Sequence, residues 1–440
     1  MKKIFCLSCM VTIMVLFFLV CTSTANHWAK GDDWFYKGVT VEQVPAGVKH
    51  YVWEMERPPY GPFDKIALHR FVYEPHNPLA HPGKPAHDKR KVLFIIPGTW
   101  DSGSPKGTQP DFSENHFFAM NGYDTYSIDF RTSYIANLAY DQFAGQGYAD
   151  ELQATGNWTY AMFREDIKAC ITKAKQLSRA RKLFLAGRSR GGTQMFIYAS
   201  KYWQQDLKGL ISLDGGGKVL PPSGVALTEA EYEAYVENFK DSEDLLSEVG
   251  SYETGRFAGV VPFSSVTVGG PLPNAADLVP PIPDFAPADK TQINTVSDLV
   301  AYGAFWTWGA GGVTNYYTPY PGGAGETYMD LTALINIESN FTRYWPTIQD
   351  VEGAQLRAYS GGDCPFLDYD DHLADLPMIA FLSELFCPGG ACQALPGNMT
   401  LSDDVTIKYL PGYGHLDVYA GTHSRDDVKQ PMLEWMNARK

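Results

Sequence analysis

The stretch "LFLAGRSRGGTQMF", residues 183–196, changes its pattern midway, and this change decides the fold. Its first residues form an apolar run suited to a buried strand, and its last residues have the spacing of an amphipathic helix. Between them stands Gly-x-Ser-x-Gly-Gly, with Ser189 flanked by two arginines. A tight strand-to-helix turn lifts a serine hydroxyl above the edge of a sheet, and Gly187 and Gly191 would relieve the crowding there. The stretch therefore predicts a nucleophilic serine rather than the serine of an ordinary structural turn.

Strands and helices alternate on both sides of this turn. Strands are predicted at residues 91–98, 124–130, 182–187, 208–216, 376–384 and 404–410, after two antiparallel leading strands at 50–55 and 65–75. Helices are predicted at residues 111–122, 163–177 and 190–203, and near Val428, Met432 and Trp435. Alternation of this kind implies right-handed crossovers, so the predicted fold class is α/β, with a mostly parallel sheet covered by helices on both faces.

The alternation stops after Asp214 for about 150 residues, the size of a small domain. We predict that residues 220–375 form an insert between two parts of one core, residues 26–219 and 376–440. A capping box from Thr228 to Glu231 indicates that the insert opens with a helix.

The N-terminus has the pattern of a secretory signal peptide. Two lysines precede an apolar run from Met10 to Val20, and small residues at 23–25 suit cleavage before Asn26. Residues 1–25 are therefore expected to be removed, leaving a secreted or periplasmic chain. Cys21 leaves a lipoprotein anchor as an alternative, disfavoured because no small residue precedes it. No later apolar run is long enough to span a bilayer.

Composition narrows the function classes. The chain has 440 residues, of which 45% are hydrophobic and 20% charged, fractions typical of a folded protein. Its net charge is −14. No basic stretch is dense enough to follow phosphates, so nucleic acid is excluded as an expected partner. Of the cysteines outside the signal peptide, Cys170 lies on an apolar helical face and is expected in the core. Cys387 and Cys392 flank a short turn and are suspected of forming a disulfide, although other pairings are possible.

Three motifs give the chain a resemblance to the α/β-hydrolase superfamily over nearly all of residues 50–440. They are "GRSRGG" at the turn, "IIPGTW" after an earlier strand and "GYGHLD" near the C-terminus. The resemblance implies the α/β-hydrolase fold, with residues 220–375 as a cap, and a triad in the order serine, acid, histidine. Ser189 would be the nucleophile and His415, in a glycine-rich loop after a strand, its base.

The acid has two main candidates. Members of the superfamily most often carry it after the strand that here ends at Glu384, whereas pancreatic-type lipases carry it one strand earlier, where Asp214 stands before three glycines. We favour Asp214, because glycines allow the backbone to approach His415 closely. Glu384 and, less so, Asp363 remain alternatives.

The oxyanion hole is predicted from the resemblance and from position. The backbone N–H of Arg190 is the first donor, because it follows the nucleophile, and Thr99 supplies the second, with Trp100 as a neighbouring alternative. Arg188 and Arg190 can attract a substrate carboxylate or pair with local acidic side chains, and pairing is favoured.

No metal or cofactor is expected. His76, His81 and His87 lie in a proline-rich loop without helical spacing and are interpreted as solvated. The predicted function is a secreted serine hydrolase that cleaves a small-molecule or lipid-like carboxylic ester through an acyl-enzyme. Alternatives are a peptidase, amidase or acyltransferase with the same triad, and a binding protein whose triad is unused. Aromatic residues of the insert, Trp306, Trp308 or Tyr317, are predicted near the Ser189 hydroxyl.

Overall fold

A computed structural model describes most of the predicted core and parts of the insert. The described residues are 34–41, 47–74, 91–103, 113–135, 154–216, 224–240, 246–248, 342, 344–359, 364, 376–384 and 404–439. The predictions on the signal peptide, the 76–87 histidines, Asp363, the pair Cys387 and Cys392, and the aromatic residues at 306, 308 and 317 lie outside them.

Nine of the described strands form one mixed sheet, in the order β1-β2-β3-β5-β4-β6-β7-β10-β11. Strands β1 to β3 and the β3–β5 pair are antiparallel, and every pair from β5 to β11 is parallel. The strands are β1 (Phe35–Val41), β2 (Val48–Glu56), β3 (Lys65–Tyr73), β4 (Lys91–Ile96), β5 (Tyr123–Asp129), β6 (Leu183–Arg188), β7 (Leu207–Leu213), β10 (Met378–Ser383) and β11 (Val405–Leu410). Two further strands, β8 (Leu246–Glu248) and β9 (Tyr344–Pro346), pair with each other.

Helices connect the strands and cover the sheet. They are α1 (Glu114–Met120), α2 (Thr132–Ile135), α3 (Tyr160–Ser178), α4 (Arg190–Asp206), α5 (Glu229–Lys240), α6 (Ile348–Ala358), α7 (Asp417–Ala420) and α8 (Gln430–Ala438). Within the described ranges, no helix combines the length and the apolar character needed to cross a bilayer.

Alternate residues of the central strands supply two separate apolar cores, one on each face. On β4, Phe94 and Ile96 belong to the core beneath α3 and α4, and Leu93 and Ile95 belong to the core beneath α1 and α8. Because both faces of the parallel strands are buried, these strands read as nearly continuous apolar runs. The predicted α/β class, with a mostly parallel sheet covered on both faces, is confirmed.

The predicted elements agree with the structure to within a few residues. The capping box is present, because the Thr228 N–H donates to the Glu231 carboxylate at 2.8 Å and the Glu231 N–H donates to Thr228 Oγ1 at 3.3 Å. Cys170 is fully buried in the core, as its helical face indicated. Strand β1 was not predicted, and it carries a register shift between Tyr36 and Gly38.

The described residues of the predicted insert, 220–375, contact residues of the segment that precedes it in sequence. Trp345 is fully buried against the rings of Phe130 and Phe163. Beside it, the Glu352 carboxylate accepts hydrogen bonds from the Tyr160 N–H at 2.7 Å and from the Tyr232 hydroxyl at 2.8 Å. Glu352 therefore joins α6, α3 and α5 at one buried point.

Burial raises the pKa of Glu352 from 4.5 to about 7, although its two hydrogen bonds favour the charged form. The folded state thus binds a proton that the unfolded chain releases above pH 4.5, so this group lowers stability as pH rises towards 7. Glu352→Gln should unfold at nearly the same urea concentration as the parent at pH 5. At pH 8 it should be more stable, by up to about 3 kcal/mol.

Urea titrations at both pH values measure this difference. Glu434→Gln, at an exposed position on α8, serves as the control for removal of one negative charge. A Glu352→Gln chain that is less stable than the parent at pH 8 would contradict the expectation, since the buried charge would then be a net support of the fold.

Candidate active site

Ser189 stands at the sharp turn between β6 and α4. Its backbone angles are φ 51° and ψ −124°, a conformation that L-residues adopt at a cost. Two backbone hydrogen bonds hold the turn: the Ser189 N–H donates to the Leu213 carbonyl at 3.0 Å, and the Gly192 N–H donates to the Ser189 carbonyl at 2.8 Å. The turn therefore has the geometry of a nucleophile elbow. Ser189 directly precedes α4, a helix of 17 residues.

Glycine is required at the two flanking positions because main chain lies against main chain. A Cβ on Gly187 would overlap the Gly191 carbonyl, and a Cβ on Gly191 would stand 2.5 Å from the Ile96 carbonyl oxygen. Neither neighbour is a flexible side chain that can move aside. The crowding predicted at this turn is confirmed.

Asp214 and His415 meet at the C-terminal edge of the sheet. Oδ2 of Asp214 lies 2.7 Å from Nδ1 of His415, and both side chains are almost completely buried. Asp214 adopts a left-handed φ of 49° directly after β7, a conformation that is uncommon for a residue other than glycine. The predicted contact between this carboxylate and a ring nitrogen of His415 is therefore present.

Ser383, the last residue of β10, holds the Asp214 carboxylate in place. Its N–H donates to Oδ1 at 2.9 Å, and its hydroxyl donates to Oδ2 at 2.5 Å. Hydrogen bonds of this kind stabilise the ionised carboxylate and fix its orientation. Ser383 was not singled out from the sequence, where only its position at the end of a strand next to Glu384 marks it.

Glu384, the alternative acid, makes a different contact. Its carboxylate accepts a hydrogen bond from the backbone N–H of Gly412 at 2.7 Å, in the loop that carries His415. In this arrangement Glu384 supports the loop backbone, while Asp214 contacts the imidazole ring.

The loop after β4 lies against the elbow. A Cβ on Gly98 would stand 3.1 Å from Cβ of Ser189, so Thr99 and Trp100 follow directly from the point of contact. Trp100 has a left-handed φ of 60°, and its carbonyl accepts a hydrogen bond from the N–H of Thr342, a residue of the predicted insert. The two predicted oxyanion segments, this loop and the start of α4, are thus neighbours.

The two arginines beside Ser189 pair with acidic side chains, as favoured from the sequence. Arg188 donates to Asp101 at 2.8 Å and to Glu114 at 2.7 Å. Arg190 pairs with Asp350 of α6, and its guanidinium lies 5.7 Å from the centre of the Trp345 ring. Helix α6 and Trp345 therefore contact the residue next to Ser189, at the C-terminal edge of the sheet.

Tyr419 is a further site residue that sequence reasoning missed. Its hydroxyl lies 3.1 Å from Nε2 of His415, the ring nitrogen opposite Asp214. The only signal in the sequence was its position four residues after His415, which places two side chains together where the chain is helical.

No protein-family model matches the sequence, and no curated protein matches it with significance. Among solved structures, a candidate lipase from Sulfolobus solfataricus is similar to the chain, with 24% identity and a TM-score of 0.61, over 93% of this chain and 100% of that one. A soluble variant of monoglyceride lipase from Saccharomyces cerevisiae, in complex with a substrate analog, aligns with 11% identity and a TM-score of 0.41, over 94% of this chain and 96% of its own.

The Sulfolobus structure and the strand order lead to the same conclusion about architecture. A mostly parallel sheet of this order, with a strand-turn-helix elbow at its centre, is the α/β-hydrolase fold. The fold expected from the sequence is confirmed.

The contacts of the two candidate acids predict different kinetic costs. Asp214→Asn removes the charge next to Nδ1 and favours the wrong imidazole tautomer, so ester turnover should fall about 10⁴-fold. Glu384→Gln retains an oxygen that can accept from Gly412 and should cost far less.

Steady-state hydrolysis of one activated ester by both variants measures this, and circular dichroism confirms that each is folded. The reverse ranking would assign the acid to Glu384, directly after β10.

Proposed function

We propose that this chain is a serine hydrolase that cleaves carboxylic esters, with Ser189 as nucleophile, His415 as general base and Asp214 as the acid. The observation that carries the proposal is the buried 2.7 Å contact between Asp214 and His415, at the sheet edge that also carries the elbow serine. Nucleophile, base and carboxylate are the three groups that acyl transfer by serine needs.

In the proposed reaction, the Ser189 hydroxyl oxygen attacks the ester carbonyl carbon and gives its proton to Nε2 of His415. Asp214 accepts from Nδ1, which keeps the ring in the required tautomer and stabilises the imidazolium that forms. The tetrahedral intermediate expels the alcohol, which takes the proton from His415, and an acyl-enzyme remains. Water, deprotonated by His415, then releases the acid.

Backbone N–H groups would stabilise the oxyanion. The Arg190 N–H is the first proposed donor, because it begins α4 and so benefits from the positive end of the helix dipole. The Thr99 N–H is the second, with Trp100 as alternative, and the close approach of Gly98 to Ser189 supports a donor from this loop.

The proposed substrate is a small or lipid-like ester. The similarity to a structure described as a candidate lipase supports an ester as the substrate class. The aromatic and glycine-rich composition of residues 259–325 supports a cap, residues 220–375, that covers the serine with apolar side chains. The sequence pattern of residues 1–25 supports export of the mature chain.

A fluorophosphonate probe tests the nucleophile and the class of function together. The parent should be labelled at Ser189, and Ser189→Ala should lose both labelling and ester turnover, the latter by about 10⁴- to 10⁶-fold. Ser200→Ala is a matched control on the same helix, because its hydroxyl bonds only to the Ile197 carbonyl among described residues. Labelling that persists in Ser189→Ala would refute the assignment.

A series of p-nitrophenyl esters of increasing chain length then defines the acyl preference. A labelled protein that hydrolyses none of them, but accepts amides or transfers an acyl group to an alcohol, would belong to the alternative acyl-transfer activities. A protein that the probe leaves unlabelled would be a binding protein with this fold.

A further inference from the structure

The Tyr419 hydroxyl occupies the nitrogen that the proposed reaction uses. It lies 3.1 Å from Nε2 of His415, and the two rings meet edge to face at 80°. Within the described residues, the Tyr419 hydroxyl has no other hydrogen-bond partner and the Ser189 hydroxyl has none. The base is therefore engaged by a phenol and not by its proposed nucleophile.

The direction of this hydrogen bond follows from the charges around it. Burial raises the pKa of Tyr419 well above its usual value, and the Asp214 carboxylate raises it further, so the phenol keeps its proton. Nδ1 of His415 faces a carboxylate oxygen and carries the ring proton, which leaves Nε2 as an acceptor. Tyr419 is thus the donor and Nε2 the acceptor.

Both the ring and the backbone of Tyr419 are held by neighbouring residues. The Arg188 guanidinium lies 5.8 Å from the centre of its ring, and Arg188 is itself fixed by two carboxylates. The Tyr419 N–H donates to the Leu416 carbonyl at 3.1 Å. These contacts keep the phenol beside the imidazole.

We propose that Tyr419 is a brake on the proposed reaction: its hydroxyl competes with Ser189 for the single lone pair of Nε2. A neutral imidazole nitrogen accepts one strong in-plane hydrogen bond, so the serine hydroxyl reaches its base only when the phenol gives way. The proposal rests on the proposed function, because only an active Ser189 needs that lone pair. No covalent bond to Tyr419 forms or breaks.

Tyr419→Phe removes the competing donor and keeps the ring. A single neutral hydrogen bond shifts an equilibrium by about 2- to 12-fold, so Ser189 should react with a small fluorophosphonate faster than in the parent by a factor in that range. The rate constant of the acylation burst with p-nitrophenyl acetate should rise by the same factor. Tyr123→Phe is the matched control, since it removes a buried phenol that bonds to Asn437 at 3.2 Å, on the other side of the fold, and it should not change the rate.

A second measurement does not depend on activity. In protein with ¹⁵N-labelled histidine, the substitution Tyr419→Phe should change the chemical shift of Nε2 of His415. The shift should move towards the value of an imidazole nitrogen that accepts no hydrogen bond. An unchanged resonance, or a labelling rate that is equal to or lower than that of the parent, would overturn the brake. If the parent itself is not labelled, the proposed function fails, and the resonance alone then decides whether Tyr419 donates to His415.

Discussion

At the elbow, the carbonyl oxygens of Ile96 and Pro97 lie where a Cβ on residue 191 would stand. On the opposite side, a Cβ on Gly215 would overlap the Ser189 carbonyl. The main chain around the serine thus touches main chain from β4 and from the residues after β7. This contact brings the loop after β4, the elbow and Asp214 within reach of one another, and the rest of the candidate site is built around it. A side chain at Gly191 or Gly215 would push these segments apart at the C-terminal ends of the parallel strands.

The tip of β10 supports the other half of the site. Ser383 holds the Asp214 carboxylate through two hydrogen bonds, and Glu384 holds the backbone N–H of Gly412. Two consecutive residues at the end of β10 therefore position the Asp214 carboxylate and the loop that carries His415. Apolar packing fixes volumes, whereas hydrogen bonds fix the direction of a carboxylate, and buried polar groups of this kind have to be fully paired.

Much of the core could be predicted from the sequence because its signals are local. Apolar runs marked the parallel strands, and glycine spacing marked the elbow at Ser189. The glycines after Asp214 favoured it over Glu384, but both residues follow parallel strands at the same edge, so their contacts were needed to distinguish them. The role of Tyr419 depends on the orientation of His415, which is set by residues distant in sequence. Ser383 had only its position as a signal, because a hydroxyl at the end of a strand is common and its partner lies in another segment.

The positions of the three proposed triad residues along the chain have a consequence for folding. Ser189 and Asp214 belong to one strand-helix-strand unit, β6-α4-β7, in which contacting residues are close in sequence. The contact between Asp214 and His415, in contrast, spans 201 residues. Local contacts close small loops and form early, while a distant contact has a larger loop-closure entropy to overcome. We therefore expect Ser189 and Asp214 to be in place before His415 reaches them. The candidate site is complete only once the C-terminal segment has docked.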